Sequence, residues 1–270
     1  MPDPLSSLPS GLPAWRRSLD PRPPHGGVAF GDAAVDAHLP EHGLGLGQVH
    51  EIGVAEFDDK AGFGDGQART GALAAAFAAC LLARLPGTRP ILWIATVCDL
   101  YPHGLAACGL DPARLILVRA RREAEVLAAM EVALREGAAA AVLGEVGAFQ
   151  RLAARRLQLA CRRQGSTGFV LRRWPHAAAP VRRVAEGNAA ATRWRLAPWP
   201  SERRDREPGP ARWRVELLQA RGGRPGAWVM ELAEAPARAM GDRDATPALR
   251  VVAALADPAA APPSRLRAAG

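Results

Sequence analysis

The chain predicts an α/β fold: a mostly parallel central sheet covered by helices on both faces, with antiparallel strands appended at its C-terminal end. Three observations predict it. Short apolar runs alternate with helical stretches between residues 49 and 174. Two of those runs, PILWIATV (90–97) and AAAAVL (138–143), are apolar throughout, as strands buried on both faces are. From residue 191 the helical periodicity stops and strand-like segments follow, two of them joined across Gly222 and Gly223.

Taken in order, residues 1–28 are rich in Pro, Ser and Gly and predict a flexible N-terminal arm. The core begins near Ala29. VHEIGV (49–54) is a short strand, followed by a glycine-rich loop and an apolar helix over about Ala68 to Leu85. PILWIATV gives the next strand, and a short helix leads to a third at Leu115–Val118. The helix Glu123–Gly137 ends on a glycine, which can close a helix with φ > 0. AAAAVLGEV supplies a strand, Phe149–Gly165 a helix and Thr167–Trp174 a further strand. Strands over Ala191–Trp199 and within Arg212–Ala235 complete a domain of residues 29–235. Residues 236–270 lack sustained periodicity and predict a mobile C-terminal tail.

Composition narrows the class. A chain of 270 residues can bury a core that needs no disulfides. Its four cysteines (Cys80, Cys98, Cys108, Cys161) show no C-x-x-C spacing, which argues against a zinc site and fits a reducing cytoplasm. His25, His38 and His42 have no metal-ligand phasing. No apolar run is long enough to cross a membrane, and the N-terminal residues lack a signal-peptide core, so a cytoplasmic protein without a membrane anchor is expected. The net charge of +8 is unevenly placed. Residues 151–225 hold eighteen arginines against five acids, a balance of +13, which leaves −5 for the remainder. Such asymmetry suits a surface facing nucleic acid or an acidic partner.

The stretch GFGDGQARTGALAAAFAACLLARL (62–85) has the layout of a phosphate-binding loop opening a helix. Gly66, Thr70, Gly71 and Ala72 trace the loop spacing, but Ala72 and Leu73 stand where the lysine and the magnesium-holding hydroxyl belong. A strand-end acid is also missing from its usual place: the run AAAAVL ends on Gly144, and Glu145, one residue on, is expected to face elsewhere. WIATVCD offers Thr96 and Val97, not an acid, after the second core strand. These absences together predict a degenerate nucleotide loop, no cofactor and no hydrolysis.

The order of these elements resembles the RecA recombinase core, and several phrases resemble a RecA-like family named ImuA. They are FGDAAVDAHLPEHGLGLGQVHEI, CDLYPHGLAACGLDPARLILVRA, RLAARRLQLACRRQGSTGFVLRR, GNAAATRWRLAPWPS and RWRVELLQARGGRPGAWVMEL, spread over roughly residues 29–235. The resemblance implies a RecA-like fold and a non-catalytic accessory role in damage-inducible mutagenic translesion DNA synthesis. It implies ImuB as partner, with RecA, an error-prone C-family DNA polymerase and weakly bound single-stranded DNA as further partners. Two other readings stand beside it: a SulA-like cell-division inhibitor, and a divergent DNA-dependent ATPase that recruits Lys60 or Arg69.

Candidate DNA contacts fall in two places. On the helix over Arg151–Arg163, Arg155 and Arg162 share a face with Arg151, although an ordinary solvated amphipathic helix would look the same. Beyond it, Arg172, Arg173, Trp174, Arg182 and Arg183 lie where the RecA resemblance implies a mobile DNA-binding loop, arginine for phosphates and tryptophan for stacking. Trp194, Trp213 and Trp228 are read as core packing. His50 and Glu51 are adjacent in a strand, point to opposite faces and therefore cannot form an acid/base pair.

Overall fold

The computed structural model describes residues 26–54, 66–173, 189–201, 209–232 and 249–255. In chain order the elements are β1 (Gly27–Val28), α1 (Ala33–Asp36), β2 (Leu44–Gly45), β3 (Val49–Val54), α2 (Gly66–Ala83), β4 (Ile91–Ala95), α3 (Pro102–Ala107), β5 (Leu115–Arg119), α4 (Glu123–Glu136), β6 (Ala141–Glu145), α5 (Arg151–Gln164), β7 (Thr167–Arg172), β8 (Thr192–Trp199), β9 (Arg212–Ala220), β10 (Gly226–Leu232) and β11 (Leu249–Leu255). Nine of the strands form one sheet in the order β11-β10-β9-β8-β3-β7-β6-β4-β5. From β8 to β5 every neighbouring pair is parallel; from β8 to β11 every pair is antiparallel. The mixed α/β architecture expected from the sequence is what forms.

Strand alternation divides the core into two layers. Ile52, Trp93, Leu143, Phe169 and Leu171 point to one face, where α2 lies; Val49, Ile94, Val142 and Val170 point to the other, where α4 and α5 lie. The alanines of α2 bring its backbone close to the sheet, and the rings of Phe30, Phe77 and Trp194 meet in the same layer, Phe30 and Trp194 stacked with centroids 5.8 Å apart and Phe77 tilted against both. Trp194, Trp213 and Trp228 are all buried, so their reading as core holds. Helices α4 and α5 each end on a glycine in the left-handed region, Gly137 (φ 67°) and Gly165 (φ 73°), a conformation that side-chain-bearing residues avoid.

Three boundaries differ from expectation. Gly27 and Val28, assigned to the N-terminal arm, pair with β2. Helix α2 begins at Gly66, two residues before the predicted start, so Gly66 and Gln67 belong to the helix and not to the loop. Residues 249–255, assigned to a mobile tail, form β11 on the sheet edge beside β10. There Leu249 is fully buried and the Val251 amide donates to Asp32 Oδ2 at 2.9 Å. The segment's alternating pattern is too short and too alanine-rich to announce a strand, and its partner edge makes it one.

Candidate functional site

Two consecutive arginines at the end of β7 organise the carboxyl ends of the parallel strands. Neighbours in a strand point to opposite faces, so Arg172 enters the α4/α5 side and Arg173 the α2 side. Each meets acid. Arg173 Nε donates to Glu145 Oε2 at 2.8 Å and its Nη2 to Glu145 Oε1 at 3.0 Å, while both terminal nitrogens reach the Asp99 carboxylate. Glu145 ends β6, Asp99 follows β4, and Arg173 lies against Gly71 of α2, whose position would put a Cβ 3.6 Å from Arg173 Nη1. Trp93 Nε1 also donates to Glu145 Oε1, at 2.5 Å. Burial pushes the Glu145 carboxyl above its ordinary range, against the pull of Arg173 and Trp93.

On the opposite face Glu51 accepts from Arg172 Nη1 at 3.2 Å and from Arg193 Nε at 3.0 Å. Arg172 also donates to the Gly147 carbonyl through two nitrogens, at 3.3 and 3.2 Å. The pattern continues along the antiparallel strands: Glu216 is held by Arg195 and Arg214, and Glu231 by Arg212 and Arg250. Each of these three glutamates is buried and bracketed by two guanidiniums, the pairing that a carboxyl group taken out of water requires.

His50 turns away from Glu51, as strand alternation requires. Its Nδ1 contacts Thr192 Oγ1 and its Nε2 the Gly45 carbonyl, both at 2.8 Å. Burial lowers the imidazole to about 4, opposed by the Gly45 hydrogen bond.

These placements correct several expectations. Arg172 and Arg173 are 8% and 5% exposed and committed to internal acids, so they do not present themselves to phosphates. Glu145 does not face away: it lies on the α2 side with Leu143, and Arg173 joins it to Asp99. Gly66, Thr70, Gly71 and Ala72 sit in the opening turns of α2, and Leu73, at the hydroxyl's position, packs in the core. Trp174, Arg182 and Arg183 lie outside the described residues. Arg155 and Arg162 are exposed on α5, as expected. Between the arginines of that helix, Leu152 and Leu159 are 69% and 64% exposed.

The residues that sequence reasoning missed are Asp99, Glu51 and Arg193. Buried acids inside apolar strands, with paired arginines closing a neighbouring strand, were the available signal. Parity along 141–145 and 167–173 puts Glu145 and Arg173 on one face.

No family model matches the sequence. Protein ImuA of Caulobacter vibrioides, found alike in two strains, is 42% identical over 214 residues, covering 77% of this chain and 84% of the relative. The chain belongs to the ImuA family. The crystal structure of SulA from Pseudomonas aeruginosa aligns at 20% identity and a TM-score of 0.36, covering 46% of this chain and 96% of SulA. A likeness that slight carries no argument about this ImuA-family chain. Among the described residues no helix is long and apolar enough to cross a membrane.

Proposed function

We propose that this chain is a non-catalytic, RecA-like scaffold of damage-inducible mutagenic translesion DNA synthesis, and that its partner is ImuB. Membership of the ImuA family supports the system, and the observation that carries the non-catalytic part is the seat of Arg173. In a nucleotide-hydrolysing α/β domain the acids at the carboxyl ends of the parallel strands hold magnesium, and the loop before the helix cradles phosphates. Here the two acids at those strand ends are bound to a guanidinium that lies against α2. A magnesium–triphosphate would have to displace Arg173 to reach them.

The remaining described groups do not fit such a ligand either. Gly66 to Ala72 is helical, so those residues form no cradle, and neither Ala72 nor Leu73 has a charge or hydroxyl to offer. Arg173 supplies the positive charge internally, and the fold closes over it. What is kept is a rigid sheet with charged surfaces, a suitable platform for protein association. RecA and a C-family polymerase are further partners within the same reading.

The experiment is association of the purified full chain with purified ImuB, followed by isothermal titration calorimetry. Binding at micromolar concentration is expected. Failure to associate at that concentration contradicts the scaffold role.

A further inference from the structure

The outward face of α5 has a defined layout. At 100° per residue, an exposed arc carries Arg151, Leu152, Arg155, Arg156, Leu159, Arg162 and Arg163, with Gln164 exposed apart from it at the C-terminal end. Leu152 and Leu159, two turns apart, run down the middle of that arc. Arg151, Arg155 and Arg162 line one side of the leucines; Arg156 and Arg163 line the other. The helix contains no acidic residue. Among the described residues, Arg156 alone of the five arginines is in an ion pair, with Glu131 of α4. Beside Leu152 the surface dips into a groove of about 270 Å³ between α4 and α5, lined by Ala124, Leu127, Ala128 and Leu157 together with Gln150 and the paired Glu131 and Arg156.

A purely solvated helix face has no reason to place leucines at its centre, and a phosphate-binding face would centre its cations. An apolar stripe flanked by like charges is instead one half of a helix pair, in which leucines meet leucines and the flanking positions meet opposite charges. We propose that α5 is a docking face for an acidic amphipathic helix of another protein. Its apolar side chains seat on Leu152, Leu159 and the adjoining groove, and its glutamates or aspartates face the two rows of arginine. Leucine contacts set the affinity; the arginines set the sign of the partner and the rate of encounter. This goes beyond the scaffold reading and stands on the geometry of α5 alone.

The test uses the full chain and a pair of synthetic helical peptides, one with a leucine stripe flanked by glutamates and one with lysines in their place, alongside a single-stranded oligonucleotide. Binding is read by fluorescence anisotropy at stepped salt. The glutamate peptide should bind the wild type, weaken with salt, and lose about tenfold or more in affinity in the Leu152→Ser, Leu159→Ser double variant. The lysine peptide should not bind. Both leucines are exposed, so their replacement leaves the fold intact, which thermal melting verifies. The proposal is overturned if the glutamate peptide fails to bind the wild type, or if the leucine variant binds it as well as the wild type does. It is also overturned if the oligonucleotide binds, Arg155→Glu with Arg162→Glu abolishes that binding, and the leucine variant retains it, because the face then reads nucleic acid.

Discussion

Arg173 binds a buried glutamate and a partly exposed aspartate together, so its removal leaves negative charge at the strand ends with no cation to hold it. Arg173→Met should destabilise the fold by about 3 kcal/mol, as the loss of one member of a buried ion pair does, with Asp99 relieved in part by water. Adding Glu145→Gln should restore much of that, because the amide keeps the Trp93 hydrogen bond and carries no charge. Urea unfolding of the single and double variants checks this; equal stability of Arg173→Met and wild type would show the pair to be without structural consequence. His50 gives a second prediction. Its folded-state value of about 4 lies below the unfolded value near 6.5, so its stabilising effect is complete above pH 6.5 and is lost as pH falls toward 4. The loss amounts to about 3 kcal/mol, since the unfolded chain takes up a proton that the native site refuses. Stability curves of wild type and His50→Gln should therefore diverge across that window by close to one proton in slope. Parallel curves would mean that His50 charges in place. Single residues were also where the sequence was least legible. The loop-helix layout of 62–85 drew attention to absent groups, whereas Asp99 and Glu145 are present and paired, a fact that needs Arg173, just past β7, brought within reach of Glu145 on β6 and of Asp99 beyond β4.

Among the elements, the parallel half of the sheet was readable because its strands are continuous apolar runs bounded by glycine-capped helices. Edge strand β11 was not, because Leu249–Leu255 becomes a strand through pairing with β10 and not through local propensity. Close approach of α4 to β6 depends on Gly144, where an added Cβ would press on the sulfur of Met130 and come within 3.0 Å of Val126 Cγ1. Gly144→Ala should cost about 1–3 kcal/mol by overpacking that contact. Thermal unfolding tests it, and an unchanged melting temperature would indicate that Met130 moves aside freely. The same strand parity that separates the two core layers also separates Arg172 from Arg173. One side-chain pair, expected to act together on a loop, is thereby divided between opposite faces of the sheet.

For the whole molecule, charge and fold point in one direction. The surplus of arginine in residues 151–225 is partly spent inside, on Glu51, Glu145, Glu216 and Glu231, and partly displayed on α5. Composition reported the total but could not divide it between core and surface, because that division follows from which strands become neighbours. The strand-end acids of this α/β sheet are bound to arginine, the basis of the proposal that the chain works without hydrolysing a triphosphate, and the chain belongs to the ImuA family. The most direct test is a calorimetric titration of purified ImuB into the full chain, with and without millimolar magnesium–ATP. The account predicts micromolar or tighter association with the same affinity in both conditions and no release of phosphate. Association that depends on ATP, or phosphate released in step with binding, would contradict it.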